Sequence, residues 1–171
     1  MTHDDLTYTP VGATRGRAET WAGHDGRVLR AHHRVARDAD ETQRAALAQD
    51  LRWWRVHRAA GVRVRAPVPA EQGVDVVTLL GAGPLVVRAA TRVVWADHEG
   101  FGYGTLPGHP FAGEEAFRAV LRDGDLWLDV EAYSRPAWAA ARVAGPLVPL
   151  FQRLYVRLLA RAARRLHRHR G

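Results

Sequence analysis

The pair Asp123-Gly124 constrains this chain more than any other feature. Asp-Gly is a preferred two-residue hairpin turn, because both positions accept the left-handed backbone whose twist suits the flanking strands. Fixing the turn fixes the register. Leu121 then opposes Leu126, Ala119 opposes Leu128 and Phe117 opposes Val130, while Val120 meets Trp127 and Arg118 meets Asp129 on the other side. The first face is apolar. It continues outward to Glu115 and Ser134, which places a carboxyl and a hydroxyl at the rim of a greasy surface.

Three further strand-like runs lie upstream, at residues 74–80, 85–95 and 101–106. Pairing the last two across the turn at 97–100 puts Val93, Trp95, Phe101 and Tyr103 on one face, with Thr91 and Thr105 further along. Gly102 and Gly104 fall on the other face near Arg92 and Val94. Alternating glycines mark a bend or bulge, so the sheet is expected to curl there. The GAGP at 81–84 starts like a dinucleotide fingerprint, but position 86 is Val where the third glycine should stand, and Pro84 opens another strand. A tight hairpin is the simpler reading, and no cofactor is predicted.

Residues 1–25 read as an extended lead-in, and residues 26–37 as the first strand. Adjacent His32 and His33 point to opposite faces of a strand and so cannot share a metal. Residues 38–60 read as a helix with Asp40 as N-cap, Gln43 at N3 and Gly61 as the stop. Leu47, Leu51 and Trp54 share its face, and both Trp53 and Trp54 are expected to anchor it on the sheet. The chain closes in helix: Pro136 begins it, Gly145-Pro146 and Pro149 interrupt it, and residues 150–166 resume it. A stripe of Leu150, Leu154, Tyr155, Leu158, Leu159, Ala162 and Leu166 is expected to cover the sheet, with Arg153, Arg157, Arg161, Arg164 and Arg168 opposite. His167 and His169 lack the i,i+4 spacing of a helical metal site.

A chain of 171 residues is read as one domain with a real core. It has no cysteine, which excludes a disulfide framework and a thiolate nucleophile. With no signal-like start and no apolar run near ~20 residues, a soluble cytoplasmic protein is expected. The net charge of +7 is local, since residues 151–171 hold seven arginines and no acidic residue. Lys, Ile and Asn are absent altogether, the mark of GC-rich coding in which Arg takes every basic position. The charge is therefore weak support for a nucleic-acid partner.

Several motifs carry a resemblance. YTPVGATR at 8–15, RVVW at 92–95, GFGYGTLPGHP at 100–110, GEEAF at 113–117, AYSRP at 132–136 and GPL at 145–147 occur in one order over nearly the whole chain. They resemble the uncharacterised family catalogued as domain of unknown function nineteen-ninety. That resemblance implies no activity, and it shows one departure: the position before RVVW, often Cys in the family, is Thr91 here, which removes any thiol chemistry. More loosely, the element order is similar to the helix-grip fold of polyketide cyclases, lipid-transfer domains and birch-pollen-type allergens, a likeness of fold that says nothing of chemistry.

The expected architecture is a single α+β, helix-grip-like domain over residues 1–171: a curved antiparallel sheet wrapped around a long C-terminal helix, with one helix inserted after the first strand. The gap between sheet and helix is then a cavity. Its lining is expected to include Tyr103, Thr105, Thr91, Glu115 and Ser134, with His109 and Arg135 at its mouth. Binding or carriage of a small apolar or amphipathic molecule is the expected function. Cyclase- or hydrolase-type acid/base chemistry at Glu115 or His109 is one alternative. Contact of the C-terminal arginine face with anionic lipid or nucleic acid is another, although a helix that spends its apolar stripe on the sheet has none left for a membrane.

Overall fold

The computed structural model describes residues 5–16, 26–81, 86–138 and 148–170. After a 3-10 turn at Ala13–Arg15, the elements in chain order are β1 (Arg27–Ala36), α1 (Glu41–Arg52), α2 (Arg55–Ala59), β2 (Arg63–Arg65), β3 (Asp75–Leu80), β4 (Val87–Ala96), β5 (Gly100–Thr105), β6 (Phe111–Arg122), β7 (Asp125–Pro136) and α3 (Val148–Arg168). The seven strands form one antiparallel sheet in the order β1-β7-β6-β5-β4-β3-β2. Among the described residues no helix is long and apolar enough to cross a membrane.

Asp123 and Gly124 take φ of 51° and 77°, and every cross-strand pair derived from that turn is present in the β6–β7 ladder. Phe117, Ala119, Leu126, Leu128 and Val130 are fully buried on its inner face. At the start of α1, the Asp40 carboxylate accepts from the Gln43 N–H while the Gln43 side chain accepts from the Asp40 N–H, a complete capping box. His32 and His33 diverge as expected: His32 Nδ1 meets Asp129 at 2.9 Å on the outer face, and His33 faces Arg164 and Arg157 of α3.

Four expectations need correction. First, the helix breaks at Trp54, which takes φ 62° and separates α1 from α2. A continuous helix would set Trp53 and Trp54 about 100° apart on one cylinder. With the break, Trp54 is buried against Phe101 at 4.8 Å between ring centroids, its Nε1 donating to the Val68 carbonyl at 3.3 Å. Trp53 is left 45% exposed, so only one of the two anchors anything. Second, Trp95 does not share a face with Val93 and Tyr103. The ladder slips by one residue between Val93 and Trp95, which pairs Trp95 with Gly102 and turns it outward. Third, Pro136 is the last residue of β7 rather than the start of a helix; the interruption placed at Gly145-Pro146 lies outside the described residues, as do positions 82–85 of the GAGP hairpin and residues 17–25 of the lead-in.

The fourth concerns which side of α3 faces inward. Val156, Leu159, Ala160, Ala162 and Ala163 are buried, whereas Leu150, Leu154 and Leu158 are 65%, 51% and 37% exposed. Small residues win the inner face because alanines let the helix approach β1 and α2 closely. The C-terminal half of α3 closes the core with Leu51, Trp54, Val56, Phe101 and Phe117. Its N-terminal half, with Gln152 and Tyr155, stands off the sheet, and the space this leaves is the candidate site.

Candidate functional site

Between the inner face of β3–β7 and the first turns of α3 lies a cavity of about 430 Å³. Its walls are mostly apolar: Leu80, Val87 and Ala89 on one side, Pro110, Phe111 and Ala132 on another. Phe151 and Trp138, both about half exposed, stand at the rim. At the floor, Tyr103 of β5 donates to Glu115 Oε2 at 2.8 Å, and Tyr155 of α3 lines the cavity beside it. Burial pushes the Glu115 carboxyl up to about 7, with the Tyr103 hydrogen bond opposing it. The same desolvation holds the Tyr103 and Tyr155 hydroxyls well above the ordinary range.

The other residues singled out from sequence fall into three groups. Ser134 lines the cavity beside Ala132. Thr91 and Thr105 line it too, but their hydroxyls are engaged: Thr91 donates to the Val76 carbonyl at 3.4 Å, and Thr105 Oγ1 accepts from the Gly113 N–H at 2.9 Å and meets Thr7 Oγ1 at 2.7 Å. His109 is half-buried in the loop between β5 and β6 and lines the cavity. The Phe111 N–H donates to its Nδ1 at 3.0 Å. The same Nδ1 lies 2.8 Å from the Phe111 carbonyl, so the loop suits either neutral tautomer of the ring. Burial pushes its pKa down to about 4, with the Phe111 hydrogen bond opposing, so the imidazole is neutral near pH 7. Arg135 alternates with Ser134 along β7 and is exposed on the opposite side, so it is not at the mouth.

Sequence reasoning missed Glu114. This carboxylate is 2% exposed on the outer face and holds the lead-in. Its Oε2 accepts from the Tyr8 hydroxyl at 2.8 Å and the Gly12 N–H at 2.7 Å, and its Oε1 accepts from the Thr14 N–H at 2.9 Å and from the Thr14 hydroxyl. Around it, Trp95 Nε1 donates to Thr14 Oγ1, Arg118 to the Thr14 carbonyl, and Tyr133 to the Pro10 carbonyl. Gly102 and Gly104 make the room: a Cβ at Gly104 would overlap the Tyr8 hydroxyl, and one at Gly102 the Trp95 ring. The usable signal was the doublet in GEE, since adjacent strand residues face opposite ways and one of two carboxylates had to leave the cavity face.

This network joins YTPVGATR, GFGYG and GEE into one structural unit. Residues 7–162 match the family model described as Domain of unknown function (DUF1990). The chain belongs to that family. Two curated relatives, each called a UPF0548 protein, come from Deinococcus radiodurans (49% identical over 73 residues) and Arabidopsis thaliana (39% over 61). The matched stretches cover 39% and 35% of this chain, and only 36% and 30% of those proteins. Among solved structures, TTHA0849 of Thermus thermophilus superposes with a TM-score of 0.61 at 15% identity, over 85% of this chain and 99% of that one. Norcoclaurine synthase of Thalictrum flavum, in complex with dopamine and hydroxybenzaldehyde, gives 0.57 at 10%, over 85% and 90%. A Streptomyces aromatase/cyclase gives 0.57 at 15%, over 84% and 96%. These likenesses establish the helix-grip fold of this DUF1990 chain.

Proposed function

We propose that this protein is a binding or carrier module for a small amphipathic organic molecule held between the sheet and α3. The observation that carries the reading is an apolar-walled cavity of about 430 Å³ with one desolvated carboxyl at its floor. Cavities of roughly 300–1,000 Å³ with a few convergent polar groups are the usual form of small-ligand sites. A desolvated carboxyl without a charged partner weakens a fold, so its place here is better explained by what enters the cavity than by stability. One helix-grip neighbour is named as an aromatase/cyclase and another holds dopamine and hydroxybenzaldehyde, so proteins of this fold take small organic molecules, which supports the reading.

The test is native mass spectrometry of protein purified without denaturation, joined to displacement of an apolar fluorophore. A co-purifying organic mass that Thr91→Trp, placed to fill the cavity, removes is the expected result. A fluorophore that binds equally well to wild type and to that variant overturns it.

Acid/base catalysis is a second reading, favoured by the Glu115 carboxyl near 7, where one group can both take and give a proton. In that case Glu115→Gln traps a bound guest unchanged while wild type converts it, as read by the mass of the released molecule. Identical released masses from both proteins exclude it.

A further inference from the structure

We infer that the cavity selects an organic amine, a molecule whose polar end is an ammonium group and whose body is apolar, and that it turns carboxylates away. The inference rests on the cavity being a ligand site and adds the chemistry of the guest's head.

The first observation is what lines the space. The chain contains 25 arginines, yet among the described residues none lines the cavity. On the strands, the arginines beside lining residues leave by the other face: Arg135 alternates with Ser134, and Arg88 and Arg92 alternate with Ala89 and Thr91, Arg92 closing on Asp75 at 2.6 Å; on α3, Arg153 beside Gln152 is exposed. Among the described residues, a carboxylate or phosphate entering here meets no cation. It meets instead the Glu115 charge, across a medium that screens charge poorly.

The second is the geometry of the floor. Among the described residues only Tyr103 donates to Glu115, and it reaches Oε2 alone. Oε1 is left for a guest. The hydroxyls of Tyr155 and Ser134 lie in the same lining and add lone pairs. An ammonium carries three donors and no acceptor, and so matches an acceptor-rich floor. Its charge also replaces the solvent that the carboxylate lost on burial.

The third is what faces Glu115 from each packed element. β5 offers Tyr103, α3 offers Tyr155, β7 offers Ala132 and Ser134, and the β5–β6 loop offers His109, which is neutral near pH 7. Glu114, next on the same strand, points to the opposite face and is saturated there. Among the described residues no charged side chain contributes to the Glu115 shift, which comes from burial. Glu115 is therefore the only group in this set that changes charge between about pH 6 and 8, and amine affinity follows its ionisation.

Competition of octylamine, octanol and octanoate against an apolar fluorophore, on the full chain, tests this. At pH 8 octylamine is expected to bind at least tenfold more tightly than octanol, with octanoate weakest. The amine's advantage shrinks several-fold as pH falls to 6 and Glu115 takes up a proton. Glu115→Gln brings the amine down to the level of the alcohol and flattens the pH dependence, while the wild-type pH series stands as evidence in its own right if that variant folds poorly. Octanoate binding as tightly as octylamine, or a Glu115→Gln protein that keeps the amine preference, overturns the amine assignment and leaves the ligand site standing. Failure of all three probes, octanol included, overturns both.

Discussion

Glu114 and Glu115 are neighbours on one strand and live in opposite worlds. The outer carboxylate is saturated by four donors from a segment about a hundred residues away; among the described residues the inner one has a single phenol as donor and faces the cavity. Identical side chains thus divide the labour of the strand, one fixing the lead-in to the sheet and the other left under-satisfied where a guest can reach it. Buried polar groups are normally partnered, so the under-satisfied, partly buried Glu115 is the member on which the proposed function rests.

The sharpest way to break this comparison is Glu114→Ala. It orphans two main-chain N–H groups and two hydroxyls in a buried site, and is expected to cost about 3 kcal/mol or more. Denaturant unfolding measures it, and a loss below about 1 kcal/mol would show that the network is ornamental. Gly104→Ala attacks the same unit from the other strand, because its Cβ overlaps Tyr8. An overpacking cost of about 1–3 kcal/mol is expected, together with faster proteolysis of the lead-in.

Glu115→Gln should behave differently, changing stability by no more than about 1 kcal/mol near neutral pH while altering the pH profile. The Glu115 carboxyl lies at about 7 in the folded protein against an ordinary 4.5. Between those values the folded state binds more protons than the unfolded, so this group's stabilisation is complete below pH 4.5 and lost as pH rises through 7. The glutamine variant flattens that slope. His57 supplies the opposite limb: fully buried among Trp54, Phe101 and Phe117, with neither ring nitrogen bonded among the described residues, it is pushed down to about 3. The stability it carries is complete above about 6.5 and lost as pH falls toward 3. Thermal melts from pH 4 to 8 separate the two. The smallest effect belongs to the outward side of α3, where Leu154→Ala is expected to fall within about 0.5 kcal/mol. Leu159→Ala, fully buried three residues before the Ala162-Ala163 pair, is the contrast, at about 2–5 kcal/mol.

What the sequence revealed follows the range of the forces involved. The Asp123-Gly124 turn and the Asp40/Gln43 cap are local, and both were legible, as was the placing of Tyr103, Glu115 and Ser134 on one face by simple alternation. Alternation fails where a residue is inserted, and the bulge at Val94 carries no mark of its own, so counting by twos puts Trp95 on the wrong side. β2 is three residues long and too short to show a period. The helix break at Trp54 comes from burial of its indole rather than from a glycine or proline. On α3 both faces are rich in leucine or alanine, and hydrophobicity alone favours the leucines that the fold leaves outside. The GEE doublet could have put Glu114 on the outer face, but its partners at Tyr8, Gly12 and Thr14 are distant in the chain and were out of reach.

The most direct test of the inner carboxyl is its own titration, followed by carbon-detected NMR on protein labelled at glutamate side chains and assigned with Glu115→Gln. The free protein should show one glutamate carboxyl with a midpoint near 7, and saturating octylamine should lower that midpoint as the ammonium pairs with it. A Glu115 midpoint in the ordinary carboxylate range, unmoved by the amine, would contradict both the buried floor and the guest assigned to it.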